Sequence, residues 1–370
     1  MPDLPSTETS VRERYAAAAE EREAALCCPV SYDPQFLKII PQEILDKDYG
    51  CGDPSQHVLA GDTVLDLGSG GGKICYIAAQ IVGPTGCVIG IDFNEPMLDL
   101  ARKHQPAITA TLGYSNVEFR RGRIQDLQLD LDRLDQLLEQ QPIRTSRDWL
   151  ASEARLGELR SSAPLVESAS VDVVVSNCVL NLVQQSDRKH MFEEVFRVLK
   201  PGGRAVISDI VASADVPLAL QRDATLWSGC VSGAFREDQF GRAFETAGFV
   251  GIEVLTRQAG PWQVIDSIEF RSVTIRAWKP LAVEDSDQAH EVIYKGPWIA
   301  VIDETGTELL RGERTHITDS QRSQLALPPY RSQLEWLTDA PASASSCCSP
   351  VPLDLLPVQD TGCCSGGTCG

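Results

Sequence analysis

Residues 64–72 read VLDLGSGGG and join a short apolar run to the segment that follows it. The run, Thr63–Leu67, is bounded by glycine, which is typical of a buried strand, and Gly72–Val82 has the pattern of a helix. Glycines at positions 68 and 70 let the backbone turn sharply and approach a ligand, because no Cβ atom stands in the way. The stretch therefore predicts a strand, a ligand-binding turn and a helix in direct succession.

The alternation of strands and helices continues after this turn. Its remaining predicted strands are Cys87–Ile91, Val117–Arg120, Val171–Ser176 and Arg204–Ile210, and its remaining predicted helices are Glu95–His104 and Arg188–Leu199. The later part of the chain has a predicted helix at Gln239–Ala247 and predicted strands at Ile252–Thr256, Ser272–Ala277, Val292–Lys295 and Trp298–Asp303. An order of this kind implies a parallel sheet covered on both faces, so the predicted fold class is α/β, doubly wound and Rossmann-like.

Shifts in composition divide the chain into five predicted regions. Residues 1–60 are an N-terminal helical lead with a cysteine-bearing cap, and residues 61–212 hold the ligand-binding sheet, with a polar helical insertion at 128–168 that lies outside it. Residues 213–280 complete the sheet, and residues 281–338 form a small C-terminal module. Residues 339–370 are a cysteine-rich tail whose Ser, Pro and Gly content is typical of disorder.

Composition and charge narrow the classes of function. The chain has 370 residues, 43% of them apolar, which is enough for a substantial core. It carries 52 acidic and 33 basic residues, and its formal net charge of −19 disfavours nucleic acid and anionic membrane surfaces as partners. No apolar run approaches the roughly 18–20 residues of a membrane span, and residues 1–23 lack the apolar segment of a secretory signal. We therefore expect a cytoplasmic protein that binds neither nucleic acid nor membranes.

Two aspartates help to identify the ligand of the glycine turn. Asp66 lies inside the end of the first strand, where a carboxylate meets the ammonium of a methionine moiety rather than a pyrophosphate. Asp92 closes the second strand about 20 residues after the last glycine, where it can accept both ribose hydroxyls. The pattern favours S-adenosylmethionine, the alternatives being a dinucleotide or a turn without a ligand. The predicted cofactor contacts are Asp66, Gly68, Ser69, Gly70, Asp92, Met97, Ile124, Asn177 and Tyr49.

Three of the twelve cysteines lie on loops near the predicted crevice of the sheet. Cys178 follows the fourth strand, at the carboxyl end where an open α/β sheet binds its ligand, whereas Cys51 and Cys230 have glycine-rich flanks. Taken singly, each is more often a buried thiol without a role. Three thiols near one crevice instead indicate a soft acceptor such as trivalent arsenic.

The other cysteines divide into two groups. Cys75 and Cys87 lie in a helix and a strand and are predicted to be structural. The tail thiols either exchange with a metalloid or a disulfide, bind stray metal, or have no role; they are Cys347, Cys348, Cys363, Cys364 and Cys369.

Together these motifs resemble the arsenite S-adenosylmethionine methyltransferases, over nearly the whole chain. The motifs that carry the resemblance are YGCG at 49–52, LDLGSG at 65–70, SNCVLNL at 176–182, WSGCVSGA at 227–234, VIYKG at 292–296 and the pair at 363–364. The resemblance implies a class I methyltransferase sheet, arsenite binding by residues 213–280, and arsenic(III) ligation by Cys51, Cys178 and Cys230. It also implies that Cys28 or Cys27 takes part in binding or disulfide exchange. The family usually begins with a Tyr-Tyr-Gly helix, where this chain has Arg14-Tyr15-Ala16.

The implied reaction is methyl transfer from S-adenosylmethionine to thiolate-bound arsenic(III), which serves arsenic detoxification. Arsenic held by three sulfurs keeps a lone pair that can attack the methyl group, so alignment, worth roughly 7–11 kcal/mol in intramolecular reactions, replaces a general base. If the reaction leaves a disulfide, turnover needs a thiol reductant such as thioredoxin or glutathione. The alternatives are a methyltransferase for another small molecule and a thiol-based metalloid-binding protein. We expect a monomer.

Overall fold

In the computed structural model, which describes residues 7–23, 30–282 and 290–337, the stretch over 64–72 is a strand that ends in a glycine turn. The strands are β1 Thr63–Leu67, β2 Cys87–Asp92, β3 Val117–Arg121, β4 Val171–Asn177, β5 Leu199–Ala212, β6 Phe235–Arg236, β7 Val250–Arg257, β8 Gln263–Ile265, β9 Ile268–Trp278, β10 His290–Tyr294, β11 Ala300–Ile302, β12 Glu308–Leu310, β13 Arg314–Ile317 and β14 Leu334–Leu337. The helices are α1 Thr7–Glu20, α2 Pro34–Leu37, α3 Gln42–Asp46, α4 Lys73–Val82, α5 Glu95–Leu112, α6 Leu131–Gln140, α7 Ser146–Ser162, α8 Gln185–Val198, α9 Leu218–Gln221, α10 Ala224–Ser228, α11 Glu237–Thr246, α12 Asp319–Leu325 and α13 Pro328–Arg331.

The main sheet has the order β3-β2-β1-β4-β5-β9-β7, and its first five strands are parallel, which confirms the predicted α/β class. The late strands β9 and β7 enter antiparallel, β9 against β5 and β7 against β9. From β1 the chain runs to β2 and β3 on one side and later to β4 and β5 on the other. The strand order reverses at β1 and β4, which opens a crevice at their carboxyl ends.

Apolar residues pack on both faces of this sheet. One cluster joins β1, β4 and β5 to α8 and α11, with Met191, Phe240 and Phe244 among its fully buried side chains. A second cluster joins α4 and α5 to the opposite face and includes Tyr76 and Leu98. The strands therefore read as nearly continuous apolar runs because they are buried on both sides.

Two elements are longer than the sequence predicted. The helix that begins at Glu95 continues past the predicted end at His104 and through Pro106 to Leu112, because its later turns bury Ile108 and Gly113 closes it in a left-handed conformation. Strand β5 also begins at Leu199, before the predicted start at Arg204. Its pairing with β4 jumps from Val171↔Leu199 to Val173↔Arg204, so the intervening residues bulge out without ending the strand.

The insertion at 128–168 contains α6 and α7 and no strand. Helix α6 buries no residue and α7 buries only Ser152, whereas Leu165 and Val166 after them are part of the core. Toward the C-terminus, β10, β13 and β14 form a three-stranded sheet beside the β11–β12 hairpin. No helix in the described ranges combines the length and apolar character that a membrane crossing requires.

Candidate active site

The turn after β1 needs its glycines for conformation and for space. Gly68 and Gly70 have φ values of 71° and 50°, in the region where other residues are strained. A Cβ atom on Gly68 would lie 2.5 Å from Val179 Cγ1, whereas one on Gly70 would meet nothing within 4 Å. The backbone N–H groups of Gly68 and Ser69 donate to Ile91 O, at 2.8 and 2.9 Å, and tie the turn to the end of β2. The space beside Gly70 is therefore open for a ligand.

Asp92 is fixed at the end of β2 by two backbone donors. The N–H of Gly70 donates to Oδ2 at 2.9 Å and that of Asn94 to Oδ1 at 2.8 Å. Burial raises the pKa of Asp92, and these two N–H groups partly offset the rise. A carboxylate accepts about four hydrogen bonds, so each oxygen keeps capacity for a ligand hydroxyl.

Asp66 is fixed by a cysteine. The Cys75 thiol on α4 donates to Asp66 Oδ2 at 3.1 Å, and both side chains are buried. Burial raises the pKa of Asp66 to about 7, with the hydrogen bond from Cys75 acting in the opposite direction. We predicted Cys75 to be structural; the structure places its thiol against a predicted cofactor contact. Cys87 is half-buried at the start of β2.

A cleft of about 1090 Å³, counting its opening to solvent, lies over the glycine turn. All nine predicted cofactor contacts line it: Tyr49, Asp66, Gly68, Ser69, Gly70, Asp92, Met97, Ile124 and Asn177. The hydroxyl oxygen of Ser69 is buried without a hydrogen-bond partner in the described chain, as expected of a group whose partner is a ligand. We call this cavity the donor cleft.

Helix α1 also lines the donor cleft, through Val11 and Tyr15. Ala18 and Ala19 of this helix pack with Met97, and the Tyr15 and Tyr49 rings meet edge to face at 6.1 Å. The sequence showed Tyr15 only as a departure from the family pattern. The polar sequence of α1 did not indicate that this helix packs over the glycine turn. Met97, which α1 contacts, lies far from it in sequence.

Asn177 has a role that the sequence did not indicate. Its Oδ1 accepts the backbone N–H groups of Cys51 and Gly52, at 2.8 and 3.0 Å, and its Nδ2 donates to Gly52 O and Tyr32 Oη, at 2.7 and 3.1 Å. Two donated and two accepted bonds occupy the amide, so Asn177 holds the cysteine loop rather than offering free polar atoms to a cofactor.

The glycines beside Cys51 are required by this packing. A Cβ atom on Gly50 would lie 2.1 Å from Asn177 Nδ2, and one on Gly52 would lie 2.5 Å from Ser208 Oγ. The loop therefore runs directly against the ends of β4 and β5. This brings Cys51, which is distant in sequence, to the carboxyl end of the sheet.

Cys178 and Cys230 adopt unusual backbone conformations, with φ of 64° and 60°. Cysteine rarely adopts positive φ, and such strain is common at functional sites. The Cys178 N–H donates to Ser208 O at 2.8 Å, and the Cys230 thiol donates to Cys178 O at 2.9 Å. A Cβ atom on Gly233 would lie 2.1 Å from Asn181 O, so the loop that carries Cys230 also needs its glycine.

The three cysteines predicted to bind arsenic belong to one buried apolar cluster. Cys51, Cys178 and Cys230 are at most 5% exposed and share an apolar cluster with Phe270. The sulfurs of Cys51 and Cys178 and a carboxylate oxygen of Asp209 all lie within 4.8 Å of one another. Of the three thiols, Cys178 lines the donor cleft.

Asp209 was missed by the sequence analysis because it lies inside the predicted fifth strand. It accepts the backbone N–H of Leu180 at 2.9 Å and the Asn181 side-chain amide at 2.8 Å, and it thereby holds the loop after Cys178. Burial raises the pKa of Asp209 to about 7, against the effect of backbone donors that include Ile210 and Asn181.

The environment of two cluster thiols, those of Cys178 and Cys230, raises their pKa values. The hydrogen bond with Cys178 and burial raise the pKa of Cys230 well above its ordinary value. For Cys178 the hydrogen bond from Cys230 lowers the pKa, but the hydrogen bond to Cys51 and burial outweigh it, so its pKa is also raised. Both effects favour the neutral thiol form of Cys178 and Cys230 in this apolar setting.

Several of the cysteines to which the sequence assigned a role lie outside the residues that the structure describes. Cys27 and Cys28 belong to this group, as do the tail cysteines and the predicted disordered segment at 339–370. The five described cysteines are thiols rather than disulfides.

Comparison with known proteins points to one family. A family model described as a methyltransferase domain matches residues 59–149 and 151–248, and one described as a domain of unknown function matches residues 282–352. The chain is 31% identical to an arsenite methyltransferase of Aquipseudomonas alcaligenes, over 75% of this chain and 73% of that protein. It is 32% identical to an arsenite methyltransferase of Halobacterium salinarum, over 75% of this chain and 68% of that protein.

A solved structure has the same fold. The arsenic(III) S-adenosylmethionine methyltransferase of Chlamydomonas reinhardtii superposes with a TM-score of 0.55 at 25% identity, over 84% of this chain and 97% of that chain. The superposition covers most of both chains, so the likeness extends beyond the methyltransferase sheet.

Proposed function

This chain belongs to the arsenite methyltransferase family, and on that premise we propose that it methylates arsenic(III) held by the thiols of Cys51, Cys178 and Cys230. One observation carries the proposal: the sulfurs of Cys51 and Cys178 approach within 4.8 Å in a buried cluster where the Cys230 thiol donates to Cys178 O. These residues come from three separate loops, and each of the two glycine-flanked loops is held by close packing. Such convergence favours a binding site over three unrelated buried thiols.

The residues over the glycine turn suit S-adenosylmethionine, which supplies an electrophilic methyl group when it is bound. Open space beside Gly70 and the unpartnered hydroxyl of Ser69 leave room and a polar group for a ligand. Asp92 would hold ribose hydroxyls with its remaining acceptor capacity, and Asp66, when ionised, would face an ammonium group. Tyr15 and Val11 would exclude water from above.

The raised pKa values of Cys178 and Cys230 suit an uncharged acceptor. Arsenous acid is neutral at physiological pH, and each As–OH group that meets a thiol forms an As–S bond and releases water, with the thiol proton leaving on the hydroxide. No net charge enters the apolar cluster, which avoids the cost of burying an ion. The raised thiol pKa values therefore fit the condensation rather than oppose it.

The cluster can also orient arsenic for the reaction. Three sulfurs on one side of the arsenic leave its lone pair directed away from them, and the donor cleft that Cys178 lines is where the methyl group would meet it. Alignment of this kind is the main contribution that the protein makes, since the lone pair needs no general base.

Transfer of a methyl cation to arsenic(III) raises its formal oxidation state to V, so a dithiol must supply two electrons before the next cycle. We propose thioredoxin or glutathione as that reductant and the cytoplasm as the compartment, because a reducing environment keeps the described cysteines as thiols.

We propose that the protein acts as a monomer, because the residues assigned to the donor and the acceptor come from one chain.

Arsenic speciation tests the proposal. The protein is incubated with arsenite, S-adenosylmethionine and a thiol reductant, and methylated arsenic is separated by chromatography. Cys178→Ser and Cys230→Ser should each lower the rate at least about 100-fold, since truncation of one ligand removes the three-sulfur site. Cys87→Ser, a matched change at a cysteine outside the cluster, should keep the parent rate. Unchanged rates in both cluster variants, or no methylated arsenic from the parent, would overturn the proposal.

A further inference from the structure

A second cleft ends at one of the cluster cysteines. It has a volume of about 650 Å³, counting its opening to solvent, and among the described residues it shares none of its lining with the donor cleft. The described residues that line it are Val30, Ser31, Cys51, Gly52, Thr256, Arg257, Gln258 and Ser272. We call this cavity the rear cleft.

Cys51 lies between the two clefts, and its backbone is hydrogen-bonded to a residue of each. Its N–H donates to Oδ1 of Asn177, a residue of the donor cleft, at 2.8 Å. Its carbonyl accepts from Oγ of Ser272, a residue of the rear cleft, at 2.6 Å. The sulfurs of Cys51 and Cys178 are within 4.8 Å of each other, and Cys178 lines the donor cleft whereas Cys51 lines the rear cleft. This pair of cysteines therefore links the two clefts.

Access from the donor side is restricted. Helix α1 packs over the donor cleft through Val11 and Tyr15, and the Tyr15 hydroxyl lies 3.9 Å from the Cys230 sulfur. A methyl donor seated over the glycine turn would fill the remaining path to Cys178. Arsenic that binds after the donor must therefore reach the thiols by a route other than the donor cleft.

We propose that the rear cleft is the entrance by which arsenic(III) reaches the thiols, so that acceptor and methyl donor use separate routes. This inference rests on the proposed function. It adds Thr256 and Gln258 as residues that arsenic passes on its way to Cys51. Separate routes also allow a spent donor to be exchanged while the arsenic stays on its thiols between successive methylations.

The lining of the rear cleft suits a small neutral acid. Ser31, Thr256, Gln258 and Ser272 offer hydroxyl and amide groups that can hydrogen-bond As–OH. Arg257, the only charged residue among the described lining residues, is paired with Glu237, its Nη2 lying 3.1 Å from Oε2. The cleft therefore presents no strong field that would favour an ion over neutral arsenous acid.

Filling the rear cleft tests the inference. Thr256 and Gln258 are exposed, so Thr256→Trp and Gln258→Trp narrow the cleft. Thr256→Trp is the primary test, because Gln258 Oε1 also accepts the N–H of Ser272 at 3.3 Å. Val254→Trp is its matched control, because Val254 lies on the same strand as Thr256, is 61% exposed and is not among the described residues that line the cleft. All variants carry serine at the five tail cysteines, so that arsenic bound there does not contribute.

Arsenite binding is followed by stopped flow through the As–S charge-transfer absorbance in the near ultraviolet. We expect Thr256→Trp and Gln258→Trp to bind arsenite at least about fivefold more slowly than the parent, and Val254→Trp to bind at the parent rate. Saturating S-adenosylhomocysteine, which occupies the donor cleft, should change the parent rate by less than about twofold.

The opposite pattern would overturn the inference: the two cleft variants bind at the parent rate, and S-adenosylhomocysteine blocks binding to the parent. The proposed function would survive that result, provided the parent still methylates arsenite and Cys178→Ser does not. If the parent shows no As–S absorbance, the proposed function fails first and the inference falls with it.

Discussion

At the scale of single residues, the site depends on side chains that hold the thiols as much as on the thiols themselves. Asn177, at the end of β4, makes three hydrogen bonds to the cysteine loop and a fourth to the hydroxyl of Tyr32. Asp209 holds the loop on the other side of Cys178 through Leu180 and Asn181. Neither residue binds arsenic in our account, yet both determine where its ligands lie.

Replacing Asn177 by alanine should weaken arsenite binding at least about tenfold and lower the free energy of unfolding by about 2 kcal/mol, because the N–H groups of Cys51 and Gly52 lose their acceptor. Calorimetry with arsenite and urea unfolding measure the two effects. Asn116→Ala is the control, since Asn116 donates to Ala79 O and Gly83 O away from the thiols. Equal losses of arsenite binding in both variants would show that Asn177 contributes only to stability.

Cys75 should control the pH dependence of donor binding. Asp66 has a pKa of about 7 and meets the donor's ammonium only when ionised, so affinity for S-adenosylhomocysteine should be about tenfold lower near pH 6 than near pH 8. The Cys75 hydrogen bond lowers that pKa, so Cys75→Ala should move the transition to higher pH. Calorimetric titrations across this range measure it, with Cys87→Ala as the control. A transition at the same pH in Cys75→Ala would contradict this role.

At the scale of elements, the sequence was informative where local pattern determines structure. The glycine turn with β1 and α4 follows from apolar runs bounded by residues that tolerate positive φ, and the predicted boundaries lie close to those observed. The end of α5 and the start of β5 could not be predicted from local pattern, because the burial of Ile108 and the register of β5 against β4 are tertiary effects. The position of α1 over the donor cleft was likewise hidden, since a polar helix carries no signal of its partner.

The insertion should be dispensable for the fold and the donor site. The N–H groups of Leu165 and Val166 donate to the carbonyls of Gln128 and Leu127, at 3.1 and 2.9 Å, so the two ends of the insertion lie side by side. Replacing residues 131–162 with a short Gly-Ser loop removes surface ion pairs and one partly buried pair, Arg160 with Asp126. It should therefore cost no more than about 2 kcal/mol of unfolding free energy. Urea unfolding and binding of S-adenosylhomocysteine measure this. Loss of donor binding in a folded variant would assign the insertion a role in the site.

At the scale of the whole molecule, the sheet joins two kinds of chemistry at one edge. The carboxyl ends of β1 and β2 carry Asp66 and Asp92 for the donor, and the loops beyond β4 and β5 carry Cys178 and Cys230 for the acceptor. The sequence could place Cys178 here because it directly follows a strand. It could not place Cys51 by geometry, since only the packing of Gly50 and Gly52 against Asn177 and Ser208 brings that loop to the sheet.

The central claim is that three thiols from separate loops hold one arsenic atom. X-ray absorption at the arsenic K edge tests it most directly, because it counts the sulfur neighbours of arsenic without requiring turnover. The protein with serine at the five tail cysteines is loaded with one equivalent of arsenite. We predict three sulfur neighbours, and two sulfurs with one oxygen in each of Cys51→Ser, Cys178→Ser and Cys230→Ser. An oxygen-dominated shell in the starting protein, or three sulfurs retained in all three variants, would contradict the account.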